Sequence, residues 1–348
     1  MKTAGVALAA MALSLAAGEA IGAAGQQPPP AADHHLHIQG PEVTAELRKA
    51  AARSPERFER LDRQMLETRT LEDALRTLDQ AHIRQGVLLS EAYMFASRFS
   101  TLPPAEATRL TRIENAATVA AARASGGRLL AFIGINPLSD FAMDELRHWA
   151  CEPGVTGIKV QLGNSGFDPR SPDQVETLAR VFAFARDNRL AIVAHVRSDA
   201  DYPASDVDTF IEKILPFAGD SPVQIAHGGG SGRLDSAAVA AIARYTDAIR
   251  HRKPGTKNLV FDVALIVVDE EADPALISAY SAQMREIGIK RFVFGSDWPT
   301  LYTPARYDRL LQSRLQLTHR EWMRLFNNRA PYFRRGARHR HAACANPA

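Results

Sequence analysis

Two histidines separated by a single residue, His35 and His37 in Ala32-Asp33-His34-His35-Leu36-His37-Ile38, constrain this chain more than any other feature. In an extended strand residues i and i+2 share a face, so two imidazoles there can grip one divalent ion. Later segments end in other polar residues suited to a metal or anion: Lys159 after Gly157-Ile158, His195 after Ile192-Val193-Ala194, His227 after Gln224-Ile225-Ala226, and Asp297 after Phe294-Gly295-Ser296. Each closes an apolar, β-branched-rich run. Such residues at strand ends are what a (β/α)8 barrel presents on its C-terminal face.

The rest of the chain agrees with that architecture. Candidate strands are Ala32–Ile38, Gly86–Ser90, Leu129–Asn136, Gly157–Leu162, Ala191–Val196, Val223–His227, Leu259–Val263 and Phe292–Ser296. Amphipathic stretches such as Leu71–Ala81, Asn115–Ala124, Pro172–Asn188 and Pro274–Ile287 lie between them; Leu178, Val181, Phe182 and Ala185 show one-sided helical spacing. Alternation predicts a parallel sheet, and the count of strands predicts closure into one TIM barrel over residues 32–333. Two connections are longer than the barrel requires. Residues 39–69 follow the first strand and carry a basic series from Arg48 to Arg63, read as a solvated helix face balanced by acids. Residues 91–114 follow the second and bring Tyr93, Phe95 and Phe99, read as a substrate wall.

Composition narrows the function. A net charge of +3 gives no argument for a nucleic-acid partner, and hydrophobic content of 46% suffices for one large core. The start of the chain, with Lys2, the apolar run Ala4 to Ala17 and the small residues Gly22, Ala23 and Ala24, has the order of a secretory signal peptide over residues 1–24. A spacer over 25–31 follows, and export to the periplasm or medium is expected. No stretch approaches the ~20 apolar residues of a membrane span. Residues 334–348 read as a disordered basic tail. With one of the two cysteines, Cys151, in a helix and the other, Cys344, in the tail, no structural disulfide is expected.

Taken in order, the His-x-His strand, Ala226-His227-Gly228-Gly229, Phe294-Gly295-Ser296-Asp297-Trp298-Pro299 and Phe326-Asn327-Asn328-Arg329 resemble the amidohydrolase superfamily, in its branch of metal-dependent hydrolases and decarboxylases. The resemblance spans Asp33 to about Phe333. It implies one divalent ion held by His35, His37, His195 and Asp297, with zinc favoured by the donor set and manganese, iron or cobalt compatible with it. It implies that His227 stands beside the ion as an acid–base or polarising group, and that Asp297 moves a proton.

Lys159 is read first as a substrate contact, ahead of a snorkelling wall residue or a metal bridge. Arg197, two beyond His195, either clamps a substrate carboxylate or turns outward. A small, planar or cyclic substrate follows, in a chain able to form homo-oligomers. Hydrolysis of an ester, lactone or amide-like bond by metal-activated water is the preferred chemistry, non-oxidative decarboxylation of an aromatic or unsaturated acid the alternative, and a non-catalytic exported binding protein the third.

Overall fold

A computed structural model of the chain describes residues 28–53, 55, 63–199, 201–268 and 273–334. The expected signal peptide, residues 25–27 of the spacer and residues 335–348 of the expected tail lie outside the described residues. Eight parallel strands follow one another in a sheet of sequential order: β1 (Ala32–Leu36), β2 (Gln85–Leu89), β3 (Leu129–Ile135), β4 (Val155–Gln161), β5 (Ala191–His195), β6 (Val223–Ile225), β7 (Leu259–Asp262) and β8 (Phe292–Val293). The ring closes where His34 N donates to Phe294 O at 2.9 Å, Asp297 N to His35 O at 2.8 Å and His37 N to Trp298 O at 2.8 Å. The molecule is a single (β/α)8 barrel.

The strands are buried on both faces, which explains their near-continuous apolar runs. Val87, Leu89, Phe132, Ala191, Val193 and Val260 fill the barrel interior, while Leu88, Ile133, Ile192 and Phe261 pack outward against the helices. Tyr332, in the turn Pro331–Arg334, enters the interior cluster, and its hydroxyl donates to Gln224 Oε1 at 2.5 Å. His34 belongs to this end of the barrel. Its Nδ1 donates to Phe294 O at 2.9 Å and its Nε2 accepts from Ala330 N at 3.2 Å, a neutral tautomer in keeping with burial lowering its pKa to about 4.

Strand ends are where the sequence and the structure part. β6 stops at Ile225 because His227 and Gly228 take left-handed backbone, with φ of 53° and 58°. β8 stops at Val293, and from there Ser296 N turns to Asp33 Oδ1 at 3.1 Å while Asp297 adopts φ 58°. Pairing is lost and the side chains are re-aimed inward. In the loop after β1 the chain forms the helix Pro41–Arg53; in the loop after β2 it forms a 3-10 turn, Ala92–Ala96, before the long helix Pro104–Ala124. One expectation is corrected here: Cys151 is disulfide-bonded rather than free. It caps the helix Ala142–Ala150, and the other cysteine of the sequence, Cys344, lies outside the described residues.

Candidate metal centre

Burying histidines at a strand end leaves each ring with two nitrogens to satisfy, and the barrel ties down one of them per ring. His35 Nδ1 donates to Asp262 Oδ2 at 3.1 Å, His37 Nδ1 to Leu89 O at 2.7 Å, and His227 Nδ1 to Ala264 O at 3.0 Å. These bonds fix the tautomer and leave Nε2 for the cavity, the arrangement that second-layer partners impose on metal-binding histidines. Both His35 Nε2, at 2.9 Å, and His37 Nε2, at 3.1 Å, converge on Asp297 Oδ1. His195 makes no hydrogen bond among the described residues, and its ring lies 4.3 Å from that of His227. The ring of His227 lies 4.9 Å from that of His35.

Charge follows from this packing. Burial and Lys159 push the His35 pKa down, but Asp297 and Asp262 outweigh them and raise it to about 9. Burial and its cationic neighbours hold His195 well below the usual histidine range, and burial takes His227 to about 4. Asp297 opposes its own burial through His35 and His37 and is held well below the carboxylate range. The neutral imidazoles of His195 and His227 beside an ionised carboxylate are donor chemistry a divalent ion takes, and the ion would displace the proton that His35 keeps. Ligand atoms of His35, His227 and Asp297 lie within 4.8 Å of one another. That triad contains His227, which the resemblance sets beside the ion, while His37 joins it through Asp297 and His195 through its ring contact with His227.

Asp262, the last residue of β7, was not singled out as a site residue. Its Oδ1 accepts from His227 N at 2.8 Å and from Ala264 N at 3.1 Å, and its Oδ2 from His35 Nδ1 and from Gln224 Nε2 at 2.7 Å. His35 and His227 together keep its pKa at about 2 against complete burial. One carboxylate thus orients two of the cluster's imidazoles. An acid closing the apolar run Leu259-Val260-Phe261 was the available signal.

A cavity of about 1000 Å³ opens above the cluster, and His35, His37, Lys159, His195, His227 and Asp297 all line it. Lys159 is 1% exposed, yet makes no hydrogen bond or ion pair among the described residues. Burial lowers its pKa to about 8, opposed by Asp262, Asp297 and Glu91. Tyr93 and Phe99 form part of the wall, but Phe95 does not. It is packed with Val43, Leu47, Ala92, Ala107 and Leu110. A 3-10 turn advances about 120° per residue, so positions 93 and 95 diverge where a strand would have aligned them. Arg197 is likewise absent from the wall: β5 ends at His195, and Asp199 takes its guanidinium by two bonds of 2.7 and 2.8 Å. The arginines that do line the cavity are Arg53, from the basic series after β1, and Arg233.

Fold and site together define a barrel enzyme with a divalent-metal centre. The chain belongs to the amidohydrolase family, whose model matches residues 32–326. No curated protein matches it. Among solved structures it is similar to 5-carboxyvanillate decarboxylase from Novosphingobium aromaticivorans, bound to manganese and 3-methoxy-4-hydroxy-5-nitrobenzoic acid, at 13% identity and TM-score 0.57 over 89% of this chain and 98% of that one. It is similar to 2,6-dihydroxybenzoate decarboxylase from Rhizobium, at 14% identity and TM-score 0.55 over 88% and 99%. A zinc-bound amidohydrolase from Burkholderia multivorans matches at 17% identity and TM-score 0.52 over 85% and 99%. At these identities the likeness is one of fold.

Proposed function

We propose that the chain is a metal-dependent, non-oxidative decarboxylase of a small aromatic or unsaturated carboxylic acid. The observation that carries this reading is Lys159: a buried ammonium lining the cavity with the donor cluster, with no hydrogen bond or ion pair among the described residues. An unpaired buried charge is costly, and a substrate carboxylate relieves it where a neutral ester or lactone does not. The decarboxylases of aromatic acids among the similar structures support the same choice. The preference for hydrolysis drawn from the sequence therefore gives way to its alternative.

A divalent ion, manganese or zinc in the similar structures, supplies Lewis-acid stabilisation of the negative charge left when carbon dioxide departs. The chain's own residues do the rest. Lys159 binds and orients the carboxylate. The carbon–carbon bond breaks, its electron pair stays on the substrate carbon, and a proton takes the place of carbon dioxide. Asp297 and His227, whose ligand atoms lie within 4.8 Å of each other, are the groups placed to relay that proton to the substrate carbon. Asp262 keeps the rings of His35 and His227 in register.

Export remains our reading of the leader sequence, and the disulfide at Cys151 supports an oxidising compartment. The functional test is a panel of hydroxylated benzoates, unsaturated diacids and lactones, given to protein reloaded with manganese or zinc. Carbon dioxide from a carboxylated member is expected; turnover confined to lactones or esters would restore hydrolysis.

A further inference from the structure

Three polar groups lining the cavity have capacity that no described residue uses. Glu91, just past β2, is 4% exposed; its Oε2 accepts from Gln39 Nε2 at 2.9 Å, and its Oε1 is neither enclosed nor bonded among the described residues. Tyr93 is 7% exposed, and its hydroxyl is likewise neither enclosed nor bonded among them. Lys159 completes the set from β4. All three line the same cavity as the donor cluster. An ammonium and a phenol together suit an anionic oxygen. A carboxylate oxygen does not; it repels that oxygen and needs a hydrogen.

We infer that Glu91 selects the substrate: its free oxygen accepts a hydrogen bond from a hydroxyl or amino substituent, while Lys159 and Tyr93 donate to the substrate's anionic oxygen. This rests on the proposed reading of the cavity as a carboxylate site. Glu91 is a specificity-determining residue here, with no part in bond breaking. Gln39 sets the direction, since it occupies one oxygen and leaves the other for the ligand. In Glu91→Gln the same Gln39 amide takes the new side chain's oxygen, which turns an NH2 group into the cavity. An acceptor becomes a donor.

The test is equilibrium binding of benzoate, the three monohydroxybenzoates and the three monomethoxybenzoates to metal-loaded protein, by calorimetry. At least one hydroxybenzoate should bind about tenfold or more tightly than both benzoate and its methoxy counterpart, as expected where a buried acceptor otherwise goes unpaired. Glu91→Gln should abolish or invert that preference while benzoate affinity stays within about threefold. The wild-type comparison stands alone if the variant does not fold. Equal affinities for all the probes, or a variant that weakens every probe alike, would overturn the inference and leave the carboxylate site intact. Failure of benzoate itself to bind would overturn both.

Discussion

Replacing Lys159 with methionine should make the metal-free protein more stable and the loaded protein inactive. The substitution keeps a long, unbranched stem and removes a charge that makes no hydrogen bond or ion pair among the described residues. Burial, opposed by Asp262, Asp297 and Glu91, lowers the lysine's pKa from 10.5 to about 8. At about 1.4 kcal/mol per tenfold in proton affinity, keeping the proton in the folded chain costs about 3 kcal/mol. The folded value lies below the unfolded one, so the cost is complete below about pH 8 and fades towards pH 10.5, where the unfolded chain also releases its proton. Urea unfolding of metal-free wild type and Lys159→Met, followed by circular dichroism across that range, should show the variant ahead by about 3 kcal/mol at neutral pH and the gap closing as pH rises. A variant less stable at neutral pH, or a gap that ignores pH, would refute the claim that this ammonium is unpaired.

Further outcomes follow from other parts of the site. Asp262→Asn loosens the anchors of His35 and His227, and metal affinity measured by competition with a chelating dye should fall about 10–100-fold while the barrel stays folded. Glu114, 1% exposed and near Glu91, has its pKa raised by burial to about 8. It therefore costs nothing below its ordinary value of 4.5 and progressively more as pH rises to about 8, so Glu114→Gln should flatten the loss of stability over that interval in thermal melts. Gly228 has φ 58°, and a Cβ there would lie 1.7 Å from the Tyr280 hydroxyl oxygen. Gly228→Ala should cost about 2–4 kcal/mol in urea unfolding and displace the neighbouring His227, with metal affinity falling as well.

Much of the barrel could be read from sequence because doubly buried parallel strands write themselves as short β-branched runs. The starts of β1, β3, β5, β6, β7 and β8 coincide with the expected residues. Their ends do not, for the reason that matters to function: at His227 and Asp297 the backbone abandons strand pairing for left-handed geometry, and periodicity contains no mark of that change. The cavity-lining residues found by pattern were those whose type is rare in an apolar run, namely His35, His37, Lys159, His195, His227 and Asp297. Asp262 had the same signature and was passed over. Arg197 was placed by extending strand alternation beyond His195, where β5 ends, and Phe95 by the aromatic content of its loop, whose 3-10 turn points it into the core. The disulfide at Cys151 was invisible because pairing depends on distance in the fold rather than on count.

The central claim is that this amidohydrolase-family barrel breaks a carbon–carbon bond to a carboxylate held at Lys159 beside its metal centre. Carbon balance tests it most directly: carboxyl-labelled aromatic acids are incubated with metal-reloaded protein in heavy-oxygen water, and gas and product are analysed together. The account predicts one labelled carbon dioxide for each product molecule, a solvent-derived hydrogen where the carboxylate stood, and no reaction with metal-free or Lys159→Met protein. A product that keeps the label and takes up heavy oxygen would contradict it.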